Sequence, residues 1–180
     1  MAYSESYFTA RESWRDWRIE AQSLIALARV TRGARVLELG CGGGGLLRLL
    51  RDRGAVAVGV DTLEVALNLA RVRDLPGFQK PGRFGLARIG EDGALPFRAG
   101  AFDALVGQHV VEHILDVDAA LCEWKRVLKN GGRLALATPN ARYPDPAHFA
   151  DADHARVFSR MPYFASRGRT ILISARKPEQ

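Results

Sequence analysis

A loop of glycines with an acidic residue on each side is the strongest chemical signal in this chain. The mostly apolar segment 35–39 breaks into five glycines and one cysteine at positions 40–45, and Glu38 stands just before them. Asp61 follows a second apolar run, 55–60. Glycines let the backbone lie close against a ligand, a helix start offers free N–H groups, and a strand-end carboxylate can accept hydrogen bonds from ribose hydroxyls. The pattern predicts a site for an adenosine-containing cofactor.

The glycine spacing leaves two classes of cofactor open. Gly40-x-Gly42-x-x-Gly45 satisfies the dinucleotide fingerprint, which by itself is a weak signal. The same loop also contains the pattern acid-x-Gly-x-Gly-x-Gly, beginning at Glu38. A dinucleotide brings a negatively charged pyrophosphate, so an acid at this position favours a cationic ligand instead. Glu38 could also be only a strand-end carboxylate that pairs with Arg35 or caps the loop.

The acid-and-glycine pattern resembles motif I of the class I S-adenosylmethionine (SAM)-dependent methyltransferases. Three later segments are similar to further motifs of that family, namely 90–97, which ends in Leu-Pro-Phe, 102–114 and 126–140. Together the four motifs cover about residues 35–140 and point to the methyltransferase type 11 branch. The resemblance implies SAM as cofactor and methyl transfer to a small or medium-sized acceptor. The alternative is a catalytically weak or inactive SAM-binding module that acts through a protein or nucleic-acid partner.

Strands that alternate with helices predict the frame that positions these residues. The periodicity indicates an N-terminal helix over 12–29, with Trp14 and Trp17 on its apolar face. Expected strands follow at about 34–40, 55–60, 84–90, 103–108, 133–138 and 169–176. This order predicts an α/β fold with a doubly wound, mainly parallel Rossmann-like sheet, shortened at the C-terminus. We expect one domain made of a helical segment at 1–33, a SAM-binding core at 34–140, and a shortened substrate-side loop with a final edge strand at 141–180.

The resemblance also assigns roles to individual residues near the strand ends. The expected cofactor-binding residues are Glu38, Gly40, Cys41, Gly42, Asp61, Thr62, Glu91, Asp92 and Gln108. The family more often has Asp at the position of Glu91, so the adenine-contacting acid is either Glu91 or Asp92. Asp61 could instead only cap the next helix, which opens with a capping-box-like sequence. Arg18 is a candidate to bind the cofactor carboxylate.

His109-x-x-Glu112-His113 also fits an inverted zinc-protease signature. A zinc site needs both histidines on one face of a regular helix and a third protein ligand, whereas His109 comes one residue after an expected strand end. We therefore expect no metal. His109 faces the expected acceptor side and is a candidate catalytic base, while His113 is expected to orient the loop beneath the cofactor. In-line methyl transfer requires no dedicated nucleophile.

Composition fits one globular domain, with 180 residues of which 47% are hydrophobic and 26% charged. No apolar stretch approaches the roughly 20 residues needed to cross a bilayer, and the N-terminus lacks a secretion signal. The two cysteines give no disulfide or metal framework. We therefore expect a cytoplasmic protein without a membrane partner. The net charge of +6 leaves nucleic acid open as a partner, but no aromatic residues are interleaved with the dispersed arginines to favour it.

The resemblance fails after Asn140. Segments 143–149 and 153–158 look like a substrate-side loop, but one helix and one strand of the family are missing before the final strand. Three consequences are open: an unusually accessible cleft, a partner that completes it, or loss of methyl transfer. Because an edge strand presents unpaired backbone groups, the second predicts a homodimer or a protein partner at residues 170–175.

Overall fold

The computed structural model describes residues 3–14, 16–73, 84–140 and 170–179, in which helices and strands alternate. The strands are Arg35–Leu39 (β1), Val56–Asp61 (β2), Phe84–Arg88 (β3), Phe102–Gln108 (β4), Leu128–Pro139 (β5) and Thr170–Arg176 (β6). The helices are Glu5–Glu12 (α1), Trp17–Leu27 (α2), Gly45–Asp52 (α3), Glu64–Val72 (α4) and Val117–Val127 (α5), and a 3-10 turn spans Val111–His113. No helix in these ranges is both long and apolar enough to cross a membrane.

The strands form one sheet in the order β3-β2-β1-β4-β5-β6. The pairs among β1 to β5 are parallel, and β6 runs antiparallel to β5 at the end of the sheet. The strand order reverses between β1 and β4, which is the point where open α/β sheets bind ligands, beyond the carboxyl ends of the strands. The predicted doubly wound, mainly parallel fold is confirmed.

The central strands are almost continuously apolar because helices cover both faces of the sheet. On one face, Leu24 of α2 and Leu47 of α3 are fully buried in the same cluster as Val36 of β1. On the other face, Trp124 of α5 is buried in the same cluster as Leu37. Successive residues of β1 thus fill opposite layers, and the strand ends are held in register at one edge.

The predicted single helix over 12–29 is wrong, because α1 and α2 are separate helices. The Ser13 hydroxyl donates back to the Ala10 carbonyl at 2.5 Å and ends α1. Such local bonds compete with helix continuation. Trp14, expected on the core face, is 55% exposed between the two helices. Helical periodicity is therefore real within α2 but does not extend back through residue 14.

The boundary between α5 and β5 also differs from the expectation of a helix to 129 and a strand from 133. The helix ends at Val127, and Leu128 already pairs with Phe102 of β4. The register then shifts, so that regular pairing resumes between Ala104 and Arg133. The expected Gly-Gly turn lies inside this irregular part of β5. The expected substrate-side loop segments 143–149 and 153–158 lie outside the described residues.

Candidate functional site

A cavity of about 670 Å³ opens at the carboxyl ends of β1, β2 and β4 and beside the loop that follows β3. Its volume is in the range of small-molecule and cofactor sites. All nine predicted cofactor-binding residues line it, and so does His109. The fold brings them together because parallel strands end at the same edge. Their roles in binding remain predictions.

The glycine loop needs its glycines for two separate reasons. Gly40 and Gly42 have φ angles of +61° and +50°, a left-handed conformation that side chains rarely adopt. A Cβ atom on Gly40 would also lie 2.9 Å from Cγ2 of Val110, and one on Gly42 would lie 3.1 Å from the ring of Phe8. The loop is therefore packed from two sides while its backbone lines the cavity.

Asp61 braces this loop against the end of β2. One carboxylate oxygen accepts from the backbone N–H of Gly42 at 2.9 Å, and the other accepts from the N–H of Leu63, also at 2.9 Å. The alternative role of Asp61 as only a helix cap is not supported, because α4 begins at Glu64 with Leu63 as its N-cap and no side-chain capping bond. Burial raises the pKa of Asp61, although hydrogen bonds from the amides of Leu63, Gly42 and Thr62 act in the opposite direction.

Glu38 is a buried acid in the wall of the cavity. It is 3% exposed, and its Oε2 atom has no hydrogen-bond partner among the described residues. Burial, reinforced by the nearby carboxylates of Asp61 and Glu12, raises its pKa well above the usual range. The alternative pairing with Arg35 is not formed, since Arg35 is exposed at the opposite end of β1. An unpartnered buried carboxylate suits a cationic ligand group.

Cys41 and Thr62 line the cavity from beside the glycine loop and beside Asp61. Cys41 is buried with its thiol packed toward β2, where a Cβ on Gly59 would lie 2.8 Å from its sulfur. Burial raises the pKa of the Cys41 thiol, and Glu38 and Asp61 raise it further. The thiol of Cys41 is therefore part of the packing between the glycine loop and β2. Thr62 is exposed.

The loop after β3 carries the two candidate acids, Glu91 and Asp92. Oδ1 of Asp92 accepts from the backbone N–H of Ala94 at 3.2 Å, within a turn in which Gly93 N–H bonds to Gly90. Asp92 thus has a structural role in its own turn. Glu91 is exposed in the same loop and lines the cavity. Asp92 is also exposed and lines the cavity, so the choice between the two acids stays a prediction.

Gln108 lines the cavity as predicted, whereas Arg18 does not. The side-chain amide of Gln108 donates to Trp17 O at 3.3 Å and to Glu20 Oε2 at 3.0 Å, so this group is used within the protein. Any contact of its N–H donors with a cofactor would have to come from the backbone. Arg18 is exposed on α2 and is not among the residues that line the cavity. Arg11, which the sequence reading missed, does line it.

Helix α1 lies against the glycine loop. Arg73, the residue that follows α4, holds it there by hydrogen bonds. Nη1 of Arg73 donates to Glu12 Oε1 at 2.5 Å, and Nη2 donates to Thr9 at 2.7 Å. The aromatic ring of Phe8 packs on Gly42 from the same helix. Residues before β1 thus complete the cavity, although no motif in that part of the sequence predicted it.

Aromatic rings form one wall of the cavity, which we call the aromatic wall. Its members are Tyr3, Tyr7, Phe8 and His113. The ring of Tyr3 lies 4.8 Å from that of Tyr7 and 6.3 Å from that of His113. His113 is therefore packed against the start of the chain, and its expected role in orienting the loop beneath the cofactor stays a prediction.

His109 is held between two carboxylates. Its Nε2 lies 3.0 Å from Glu20 Oε2, and its Nδ1 forms an ion pair with Glu112 Oε1 at 3.4 Å. Burial and Arg11 lower the pKa of His109, but Glu112 and Glu20 outweigh them and raise it. Both ring nitrogens of an imidazolium are donors, so neither offers a lone pair for proton abstraction. This arrangement speaks against the expected role of His109 as a base.

The cavity lining is acidic, whereas the chain as a whole is basic. Six carboxylate residues and one arginine line it among the described residues, whereas the whole chain carries a net charge of +6. The acids are Glu12, Glu38, Asp61, Glu91, Asp92 and Asp116. Such a lining disfavours a pyrophosphate and favours a cationic ligand.

A family model described as a methyltransferase domain matches residues 37–136, just over half of the chain. The chain belongs to this methyltransferase family. The matched range runs from β1 into β5 and includes the glycine loop, Asp61 and His109. The expected membership of the type 11 branch is confirmed.

Named relatives and solved structures agree with this family. The methyltransferase is 31% identical to a ubiquinone biosynthesis O-methyltransferase of Dechloromonas aromatica, over 82% of the chain and 59% of that protein. It superimposes on a SAM-dependent methyltransferase of Aquifex aeolicus with a TM-score of 0.64 at 20% identity, covering 82% and 81% of the two chains. A complex of a Haloferax volcanii methyltransferase with its activator gives 0.63 at 26% identity, covering 74% and 56%. The chain spans about half the length of the curated relatives it matches.

Metal ligation finds no support in the geometry. The described ranges contain no group of three His, Cys, Asp or Glu side chains arranged to hold an ion. His109 and His113 do not share a regular helix, since Val111–His113 is a single 3-10 turn. The Glu112 of the zinc-like signature is buried and faces His109 and Thr138 instead.

Proposed function

We propose that this methyltransferase-family chain binds SAM in the cavity and transfers its methyl group to a small or medium-sized acceptor. The observation that carries the proposal is the acid-rich lining around a left-handed glycine loop. SAM is an adenosine derivative with an ammonium and a sulfonium, so the buried carboxylate of Glu38 suits its cationic end. Family membership supports the same reaction class.

Each part of the site has a defined task in this proposal. Asp61 uses one lone pair of each oxygen on backbone amides, and a carboxylate has about four such sites, so acceptors remain for the ribose hydroxyls. The backbone of the glycine loop lies against the methionine portion, and Glu91 meets the adenine end. When bound, SAM supplies an already activated methyl group. The protein then mainly positions the acceptor in line and excludes water.

The acceptor is proposed to be a hydroxyl group on a planar molecule. The aromatic wall provides flat apolar surface beside the cofactor loop, against which a ring can stack. The names of the curated relatives, ubiquinone biosynthesis O-methyltransferases, support oxygen as the first acceptor atom to test.

Calorimetric titration should show binding of SAM and of S-adenosylhomocysteine to the purified protein. NAD(H) is the matched negative ligand, because it shares adenosine and ribose but carries the pyrophosphate that the acidic cavity disfavours. We expect NAD(H) neither to bind nor to compete. Absence of SAM and S-adenosylhomocysteine binding at millimolar concentration would contradict the proposal.

We further propose that β6, at the edge of the sheet, pairs with a second copy of this chain or with a protein partner. In the described residues β6 pairs with β5 alone, and an open strand edge favours pairing with another chain. Sedimentation should therefore show self-association of the purified protein at high micromolar concentration. A strict monomer would remove the homodimer. A monomer that also methylates an acceptor unaided would remove the need for any partner.

A further inference from the structure

The carboxylate of Glu20 is the centre of a buried polar network that includes His109. The two residues are 89 positions apart in the chain. Oε2 of Glu20 accepts from Gln108 at 3.0 Å and lies 3.0 Å from His109 Nε2. The hydroxyl of Thr170 donates to its other oxygen. One carboxylate thus joins α2, the end of β4 and the start of β6.

The network continues on the far side of the imidazole ring. Glu112 faces His109 Nδ1 at 3.4 Å and accepts from the Thr138 hydroxyl of β5 at 3.1 Å. The side chains of Glu112 and His109 are 2% and 11% exposed, and that of Glu20 is 15% exposed. Oε1 of Glu112 has no hydrogen-bond partner among the described residues, so its contact with His109 is an ion pair only, whereas Glu20 holds the ring by a hydrogen bond.

The turn held by this network supports the cofactor loop. His109 has a φ of +56°, an unusual left-handed backbone for a residue other than glycine, and its N–H bonds to Ala137 O at 2.7 Å. This turn directs the next side chain, Val110, onto Gly40 of the glycine loop. Val110 also packs on Gly107 in β4. A displacement of His109 would therefore be passed to the glycine loop through Val110 alone.

We propose that Glu20 is a positioning residue of this enzyme: by bonding Gln108 and His109 it orients the imidazole ring and fixes the left-handed turn that places Val110 against the glycine loop. Glu20 itself is not among the residues that line the cavity, so it acts through His109. Its part in catalysis rests on the proposed methyl transfer, whereas its control of His109 does not.

The titration behaviour of the pair agrees with the geometry. Burial raises the pKa of Glu20, but hydrogen bonds from His109, Thr170 and Gln108 bring it down to about 2. The charged groups that face His109 are Arg11 from α1, Glu20 from α2 and Glu112 from the 3-10 turn. Without the charge of Glu20, only Glu112 still raises the pKa of His109, whereas burial and Arg11 continue to lower it. The pKa of His109 should fall.

Nuclear magnetic resonance titration of the histidine rings tests this without any activity. The chain has four histidines, and the His109→Asn variant identifies the His109 signal by its loss. We expect the titration midpoint of His109 to decrease in the order wild type, Glu20→Asp, Glu20→Gln. The matched control is Glu64→Gln, which removes another helical carboxylate, paired with Arg71 at 3.0 Å, and should leave His109 unchanged. An unchanged midpoint in Glu20→Gln, or in Glu20→Asp if the glutamine variant does not fold, would overturn the proposal.

Kinetics separate positioning from simple loss of stability. If methyl transfer is confirmed, Glu20→Gln should lower kcat by about tenfold or more and also raise the Kd for S-adenosylhomocysteine, because the displaced turn no longer supports the glycine loop, and Glu20→Asp should recover part of both. The effects of Glu20→Gln and His109→Asn should not add in the double variant, since one acts through the other. Additive effects would overturn the coupling. Failure of all methyl transfer would count against the proposed function and leave the His109 titration as the test of Glu20.

Discussion

Replacing Asp61 with alanine is expected to weaken SAM binding by about 1–3 kcal/mol, roughly a 5- to 150-fold rise in Kd. Two losses combine in this change. The ribose hydroxyls lose a charged acceptor, and the backbone N–H groups of Gly42 and Leu63 lose the carboxylate that fixes the glycine loop. Calorimetric titration of the purified variant with SAM measures the effect.

Asp52→Ala is the matched control for Asp61→Ala. Asp52 is an exposed acid at the end of α3 that pairs with Arg51 at 3.2 Å, remote from the strand ends that form the cavity. Its replacement should leave the Kd for SAM unchanged, because exposed ion pairs contribute little. Normal SAM binding by Asp61→Ala would contradict both the ribose contact and the role of this carboxylate in fixing the glycine loop for the cofactor.

Replacing Glu38 with glutamine is expected to stabilise the unliganded protein by about 1 kcal/mol and to weaken SAM binding about tenfold. The unliganded protein becomes more stable because the substitution removes a buried carboxylate whose Oε2 atom has no hydrogen-bond partner. Binding loses because the cationic end of SAM no longer meets a negative charge. S-adenosylhomocysteine lacks the sulfonium charge, so its affinity should fall less. Thermal unfolding and calorimetry measure the two effects.

The pH dependence gives a second measurement on Glu38. Its pKa is near 4.5 in the unfolded chain and is raised well above this in the fold. Folding therefore takes up a proton between these two pKa values, and the free energy of unfolding falls as the pH rises through that window. In the Glu38→Gln variant, the free energy of unfolding should not show this part of the decrease with pH. SAM favours the ionised carboxylate, so its affinity should rise with pH in the wild type. Equal pH profiles for the two proteins would contradict this account.

Local sequence determined the frame of this protein and the position of its cavity. Apolar runs that alternate with helical periods require a parallel sheet covered on both faces, and the parallel strands then place Gly40, Asp61 and Gln108 at one edge. The left-handed glycines follow from local sterics alone. These features depend on residues close in sequence, so a linear reading could predict them.

Tertiary packing decided which side chains meet. The spacing left a helix cap open as the alternative for Asp61, but the loop after β1 comes close enough for the Gly42 N–H to bond its carboxylate. Glu20 lies on the apolar stripe of α2 with Trp17 and Ala21, where one acid among buried residues was the only signal of its role. Its partners His109 and Thr170 lie 89 and 150 residues away along the chain.

The difference between the two kinds of result has one physical cause. Backbone conformation and burial period are set by neighbours within a few residues, because sterics and helical or strand repeats act over that range. Charge pairing is set by distances between side chains on different elements, and these distances exist only once the elements have packed. The sequence therefore determined a glycine-loop cofactor fold with acids at its strand ends, whereas the structure alone decided that Glu20 and Glu112 hold His109 and that α1 covers the loop.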